Sequence, residues 1–229
     1  MRLNDFYYGN FINQLPRYFL IFFYCVFPAS LVAQNDSSFK TASTENIDSL
    51  KIIYGRHKHL LKEFEMQSLI ALSYYPELWN ENINFKYKGI NSSAQTTMTF
   101  GSIFKKTDKR YIIYINNDST KTGMLVNDAP YNAQLAVIGH ELAHIVDFKS
   151  RAFFDLALWG LKYLFVKTST KIERKTDKIT IRHGLGWPLY YWADYILNTA
   201  NKRYKKIKEK KYMHPDEILQ YMTLHRLSG

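Results

Sequence analysis

The feature that most constrains the fold is a helical segment, Asn132 to Phe148, that is apolar on nearly every side. Its apolar residues are Ala133, Leu135, Ala136, Val137, Ile138, Leu142, Ala143, Ile145, Val146 and Phe148. A helix without a polar face is buried in the middle of a domain. Four polar residues nevertheless interrupt it: His140, Glu141, His144 and Asp147. Because buried imidazoles and carboxylates cost free energy unless they are paired, these residues predict a functional site inside the domain.

Five residues of this helix, His140-Glu141-Leu142-Ala143-His144, match the pattern H-E-x-x-H. Residues four apart lie on the same helix face, so both imidazoles can reach one Zn²⁺ at about 2.0–2.1 Å. Glu141 can accept a proton from a zinc-bound water, which makes it the predicted general base. The alternative is a pair of surface histidines on an ordinary helix. We predict zinc bound by His140 and His144.

A catalytic zinc needs a third protein ligand. The candidates downstream of the first histidine are Asp147, Glu173, Asp177, His183 and His214. Asp147 lies about 4.5 Å further along the helix axis than His144 and has a short side chain, so we predict only a hydrogen bond from it. Glu173 and Asp177 share a helix face, so one can bind zinc while the other accepts a ring N–H of a ligand histidine. The alternative is an exposed carboxylate pair matched with lysines.

His140-Glu141-x-x-His144 followed by Glu173-x-x-x-Asp177 resembles the gluzincin metallopeptidases, most closely the M48-like and minimal gluzincin groups. The resemblance implies zinc on His140, His144 and Glu173. It also implies Glu141 as general base and Asp177 as a hydrogen-bonding partner of a zinc ligand. Two departures are a shorter spacing between His144 and Glu173 than in typical M48 enzymes, and the lack of that family's membrane helices.

The motif region that carries this resemblance runs roughly over residues 111–182. Zincins usually supply a further donor that stabilises the oxyanion of the tetrahedral intermediate. The candidates are His183, Tyr190, Tyr191 and His214. His183 precedes a Gly-Leu-Gly-Trp-Pro turn that we expect near the site, and we predict it as this catalytic residue. The alternative is an exposed loop histidine.

The surrounding pattern predicts an α+β, zincin-like domain over residues 47–229. It has a small, mainly antiparallel sheet, a central H-E-x-x-H helix and a mostly helical C-terminal half. The predicted strands are 83–88, 96–104 and 110–116, with a possible fourth at 124–126 and a hairpin turn after the second. Strand 110–116 is the predicted sheet edge that aligns an extended substrate. The predicted helices are 47–75, 132–148, 152–166, 172–182, 189–204 and 215–224.

Residues 1–33 have the pattern of a signal peptide. Arg2 and Arg17 lie in its basic part, the run from Tyr18 to Phe27 is too short to span a bilayer, and cleavage is expected after Ala33. The alternative is an uncleaved anchor. Cleavage would remove Cys25, the single cysteine, and with it any disulfide or thiol chemistry. Residues 34–46 form a polar, flexible lead, and we expect a secreted or periplasmic protein.

The net charge of +11 favours anionic partners but says little about function. The basic run 201–211 is typical of a solvated helix end, and it is also compatible with weak contact to anionic lipid or cell wall. The apolar run 152–166 is read as a core helix, with an interfacial lid as the alternative. Nucleic acid is not expected as a partner of an exported protein.

The sequence thus predicts a secreted zinc metalloendopeptidase that hydrolyses polypeptides by water attack. Two alternatives stay open. One is a secreted, zinc-stabilised binding protein without turnover, and the other is a membrane-surface protein.

Overall fold

The described part of the chain alternates between helices and short strands up to residue 115 and is mainly helical beyond it. The computed structural model describes residues 46–103, 108–121, 123–151 and 166–227. The predicted signal peptide at 1–33, almost all of the lead and nearly all of the apolar run 152–166 lie outside these ranges. The described residues form an α+β unit, which confirms the predicted fold class at that level.

The helices of the described ranges are α1 (Ile47–Tyr54), α2 (Glu65–Ser73), α3 (Phe100–Ile103), α4 (Tyr131–Lys149), α5 (Val166–Thr180), α6 (Gly186–Thr199), α7 (Lys202–Lys211) and α8 (Pro215–Leu227). The strands are β1 (Lys58–His59), β2 (Asn82–Tyr87), β3 (Ala94–Met98) and β4 (Arg110–Ile115). Short 3-10 turns lie at Lys62–Phe64, Pro76–Leu78 and Val126–Asp128, and a π-helical turn lies at Ile181–Leu185.

The strands form one mixed sheet in the order β1-β2-β4-β3. β1 pairs with β2 and β2 with β4 in parallel, with Ile83 opposite Tyr111. β3 pairs with β4 antiparallel, with Ala94 opposite Ile115. The prediction of a mainly antiparallel sheet is therefore wrong. The strand predicted at 96–104 is also wrong beyond Met98, because Phe100–Ile103 forms α3 instead. β4 lies beside β2 as well as β3, and that long-range pairing leaves no mark in the local sequence.

The position of β4 also corrects the predicted sheet edge. β4 pairs with β2 on one side and with β3 on the other, so its backbone N–H and C=O groups are used within the sheet. β3 is the edge strand on the α4 side, since it pairs with β4 and packs against α4. Tyr111, Ile113 and Ile115 alternate along β4 and are fully buried, as the period of two in a strand requires. Their face shares one hydrophobic core with α2 and α4.

α4 lies at the centre of the described fold and packs against α2, α5, α6 and β3. Every residue from Leu135 to Ile145 is buried, which confirms the prediction made from its apolar pattern. The hydroxyl of Tyr75 donates a hydrogen bond of 2.7 Å to the carbonyl oxygen of Gly139. A Cβ at Gly139 would lie 2.4 Å from Cδ1 of Leu185, so glycine lets the chain approach α4 closely here.

Two predicted helices are interrupted where the backbone leaves the helical region. The single helix predicted for residues 47–75 ends first at Gly55, and His57 has a φ of 60°. The helix predicted for residues 189–204 is divided at Ala200, which is extended with a ψ of 156°. Asn201 then caps α7 by accepting a hydrogen bond from the backbone of Tyr204.

The predicted strand at 124–126 is wrong as well, because Val126 opens a 3-10 turn, although it and Met124 are buried. The predicted helices at 172–182 and 215–224 are present as α5 and α8. Within the described ranges, no helix is both long and apolar enough to cross a membrane.

Candidate metal centre

The packing of α5 on α4 brings three ligand groups together. His140 and His144 lie one turn apart on the same face of α4, and Glu173 projects from α5 towards them. Oε2 of Glu173 lies 3.1 Å from Nε2 of His140 and 3.5 Å from Nε2 of His144. One ligand atom from each residue falls within 4.8 Å of the others. These three residues can therefore hold a metal ion.

The two separations that involve Glu173 fit a tetrahedral site. Ligands at about 2.0–2.1 Å from a tetrahedral zinc lie about 3.3 Å from one another. The two distances from Glu173, 3.1 and 3.5 Å, bracket that value. The side chains of His140, His144 and Glu173 are 10, 9 and 2% exposed, so the ligand atoms are already largely shielded from water. In the part of the chain that the structure describes, the cluster comprises three candidate ligands, and a tetrahedral ion held by three protein ligands has a fourth position for a small molecule.

Each histidine has a partner for its other ring nitrogen. Thr176 donates its hydroxyl proton to the carbonyl oxygen of Ile172, at 3.0 Å. Its oxygen therefore accepts from Nδ1–H of His144, at 3.2 Å. This sets the tautomer of His144 that leaves Nε2 free for a metal. The sequence did not suggest Thr176, although it lies on α5 one turn beyond Ile172.

Asp177 takes the predicted place beside a ligand histidine. Its Oδ1 lies 3.0 Å from Nδ1 of His140, close but not well aligned for a hydrogen bond. Its Oδ2 accepts a hydrogen bond of 2.8 Å from the backbone N–H of Met213. Asp177 thus connects His140, a candidate metal ligand, to the segment between α7 and α8.

The carboxylate of Glu141 lies against the edge strand. Thr96 of β3 places its hydroxyl 2.7 Å from Oε2 of Glu141 and 3.0 Å from the carbonyl oxygen of the same residue. Glu141 is 5% exposed and lines an open pocket that His140 and Asp177 also line. A carboxylate held in this way, next to a ligand histidine and at a pocket wall, can accept a proton from a molecule in the pocket.

The charges of the site shift the pKa values of its groups. Burial lowers the pKa of His140, but the close contacts with the negative charges of Asp177 and Glu173 outweigh it and raise the pKa to about 10. Burial raises the pKa of Glu173, yet its contacts with His140 and His144 hold that pKa well below the usual range. The carboxylates of Glu173 and Asp177 thus favour the protonated form of His140, and a divalent cation bound there would replace that proton.

Asp147 is not among the three converging ligand groups, in keeping with the hydrogen-bonding role predicted for it. Nε and Nη2 of Arg151 donate to its Oδ2 at 2.9 and 2.6 Å. Nζ of Lys175 donates to its Oδ1 at 2.5 Å. Since Lys175 lies on α5, this buried carboxylate ties α5 to α4 near the metal ligands.

His183 does not join the site, contrary to the catalytic role predicted for it. It lies in the π-helical turn after α5, where its Nδ1 contacts the carbonyl oxygen of Ile179 at 2.8 Å. Its Nε2 contacts Oε1 of Glu77 at 2.8 Å, and its ring stacks on Tyr75 at 4.3 Å. Both ring nitrogens are thus engaged, and His183 is not among the residues that line the pocket beside Glu141.

The pocket contains residues that the sequence did not point to. Tyr212 lies with its ring centre 5.6 Å from that of His140, and Lys208 lines the same pocket. His214, a weaker candidate from the sequence, lines it too. Thr96, beside Glu141, and Tyr212 are far from the motif in sequence and have no local signal, because only the packing of β3 on α4 and of α7 on α5 and α6 brings them to this region.

Comparisons of this chain with protein-family models, with curated proteins and with solved structures found no match. The geometry of the site therefore carries the functional argument by itself.

Proposed function

We propose that this protein is a zinc-dependent peptidase of the gluzincin type, with a zincin-like fold. The observation that carries the proposal is the placement of Glu141 in one open pocket with His140, one of the three converging ligands. A metal site that only stabilised the fold would be closed by four protein ligands. Among the described residues, three candidate ligands converge, and the carboxylate of Glu141 lies next to His140. Three ligands and a neighbouring carboxylate are the groups that a hydrolytic zinc site uses.

Zinc is the metal that this donor set favours. Two imidazole nitrogens and one carboxylate oxygen in a small, buried, tetrahedral arrangement suit Zn²⁺. Calcium and magnesium prefer more oxygen ligands. When bound, zinc lowers the pKa of a water molecule and polarises a carbonyl group.

The side chains of this chain divide the remaining work. Glu141 takes the proton of the attacking water and passes it to the amine that leaves when the C–N bond breaks. Thr96 donates to Oε2 of Glu141 and keeps that carboxylate oriented. Asp177 and Thr176 hold the rings of His140 and His144 with Nε2 directed at Glu173. His183 has no part in this proposal.

The substrate is proposed to be a polypeptide in extended form. β3 is an edge strand that pairs with β4 and carries Thr96, which contacts Glu141. An edge strand offers unpaired N–H and C=O groups to a further strand, so it can align a peptide past the site. The signal-peptide pattern at residues 1–33 would place this activity outside the cytoplasm.

The proposal is tested with purified protein supplied with zinc and an unfolded polypeptide. We expect one zinc per chain and cleavage of the polypeptide. Glu141→Gln should retain the zinc and lose cleavage by about a hundredfold or more. Glu63→Gln removes an exposed glutamate of the Lys62–Phe64 turn and serves as the matched control. Equal cleavage by Glu141→Gln, or a chain that holds zinc but cleaves nothing, would contradict the peptidase function and favour a zinc-stabilised binding protein.

A further inference from the structure

The pocket beside the metal centre has a mainly apolar wall. Glu141 and His140 lie on one side of it, and α6 and α8 contribute Leu189, Trp192, Ile196 and Ile218. The pocket encloses about 640 Å³, its open mouth included. An apolar wall next to a hydrolytic site favours a large apolar side chain, because each buried methylene gains about 0.8 kcal/mol.

Lys208 also lines this pocket, and aromatic rings surround its ammonium group. Nζ of Lys208 lies 3.7 Å from the ring centre of Tyr212, 5.5 Å from that of Tyr204 and 5.7 Å from that of Trp192. Three aromatic faces thus hold one cation in place. Among the residues that the structure describes, Lys208 forms no ion pair, and the exposed Glu209 beside it forms none with it.

Other cations near the site are paired with carboxylates. Lys175 binds Asp147, and Arg174 binds Glu217. The two pocket carboxylates nearest the metal ligands are also engaged, Glu141 by Thr96 and Asp177 by the backbone of Met213. Lys208 is therefore a positive charge in a mainly apolar pocket, has no carboxylate partner among the described residues although Glu209 also lines the pocket, and can bind an anionic group of a ligand.

The ring of Tyr212 contacts both this cation and His140. One face is 3.7 Å from Nζ of Lys208, and the ring centre is 5.6 Å from that of His140. Lys208, Glu141 and His140 line the same pocket, so a ligand that occupies it can contact the cation and Glu141 together. Asp177 helps to hold Tyr212 here, because its carboxylate accepts a hydrogen bond from the backbone N–H of Met213, the next residue.

We propose, resting on the peptidase function above, that the pocket receives the C-terminal residue of the substrate. The free carboxylate of that residue binds Lys208, and its apolar side chain packs among Leu189, Trp192 and Ile196. Hydrolysis then breaks the last C–N bond of the peptide. The hydroxyl of water joins the carbonyl carbon, and the proton taken by Glu141 goes to the amine of the released amino acid. The activity is that of a carboxypeptidase for apolar C-terminal residues.

The experiment compares a blocked tripeptide ending in leucine, as the free acid and as the C-terminal amide. With zinc-loaded protein, the acid should be cleaved at its last bond about tenfold or more faster than the amide, as measured by kcat/KM. Lys208→Met should remove this preference, and Lys208→Arg should restore most of it. Lys206→Met, an exposed lysine of the same helix, is the matched control and should keep the preference.

Measuring peptide binding tests the proposed carboxylate site without relying on hydrolysis. In the Glu141→Gln background with zinc bound, calorimetry should show tighter binding of the acid than of the amide, and Lys208→Met should abolish the difference. Equal binding of the two peptides would overturn the inference whether or not the wild type cleaves anything. Cleavage of both peptides at equal rates would also overturn it while leaving the peptidase function intact. If the acid binds selectively but no peptide is hydrolysed, the peptidase function fails and the carboxylate site stands.

Discussion

The hydroxyl oxygen of Thr176 lies 3.2 Å from Nδ1 of His144, and its proton is given to the carbonyl oxygen of Ile172. The threonine therefore acts as an acceptor towards the histidine and leaves Nε2 as the nitrogen that faces Glu173. Such partners of metal-ligand histidines raise the basicity of the ring and fix its orientation.

Replacing this threonine should weaken the metal site without removing a ligand. We expect Thr176→Val to lower zinc affinity by about 10- to 100-fold, because the buried Nδ1–H loses its acceptor. Competition with a chromogenic chelator measures the affinity. Thr176→Ser keeps the hydroxyl and should stay close to the wild type. If valine and serine bind zinc equally well, the hydrogen bond does not set the tautomer.

Thr96 should matter for turnover and not for metal binding. Its hydroxyl lies 2.7 Å from Oε2 of Glu141, while the ligand atoms belong to α4 and α5. We expect Thr96→Val to lower kcat by about tenfold, since the general base loses its orientation. Zinc content, measured by atomic emission, should be unchanged. Thr97→Val, the next residue of β3, is the control. Loss of zinc in Thr96→Val would show that this hydroxyl supports the metal site instead.

Zinc affinity should keep rising with pH well above neutrality. In the metal-free protein the pKa of His140 is raised to about 10, so zinc must displace a proton from it. Below that pKa the apparent affinity should rise about tenfold per pH unit. A histidine with an ordinary pKa would level off above about pH 7. Chelator competition between about pH 6.5 and 8.5 separates the two cases, and a plateau from neutrality upward would contradict the shifted pKa.

The same shift has a defined effect on the stability of the metal-free protein. A raised pKa in the folded state means that folding favours the protonated form of His140. The resulting stabilisation is complete below the unfolded pKa of about 6.5 and is lost as the pH rises through about 10. Thermal unfolding in the presence of a chelator should therefore show a falling Tm across this range, with the slope removed in His140→Ala.

The Asp147 contacts should contribute to stability more than a surface ion pair does. The carboxylate is 1% exposed and binds Arg151 and Lys175. We expect Asp147→Asn to lower the free energy of unfolding by about 1–3 kcal/mol, because two cations lose their buried partner. Lys149→Met breaks the more exposed pair with Glu81 and should cost less than about 1 kcal/mol. Denaturant unfolding measures the free energy of unfolding of each variant. Equal decreases in the two variants would contradict a special contribution of the Asp147 contacts between α4 and α5.

The proximity of His140, His144 and Glu173 could be predicted, because spacing along a single helix determines which side chains share a face. His140 and His144 are four apart on α4, and Glu173 and Asp177 are four apart on α5, so each pair shares a face. The apolar pattern of α4 also predicted its burial, because a helix without a polar face has no stable place at a surface. These conclusions needed only the periodicity of the α-helix.

The prediction failed where contacts depend on distant segments. β4 was taken for an edge strand, but it lies between β2 and β3, and the pairing partner of a strand is chosen by long-range packing. His183 was placed at the site because it follows Glu173 closely in sequence. The chain instead leaves α5 through a turn in which Gly184 has a φ of 85°, and His183 stacks on Tyr75.

The sequence by itself determined that a buried helix carries two histidines on one face with a glutamate between them, and that a second helix carries a carboxylate pair. The tertiary structure alone decided that Thr96 holds Glu141, that Thr176 holds His144, and that Lys208 stands in the pocket wall. The physical reason is that helical spacing is local, whereas the neighbours of a buried side chain come from whichever elements the hydrophobic core packs together.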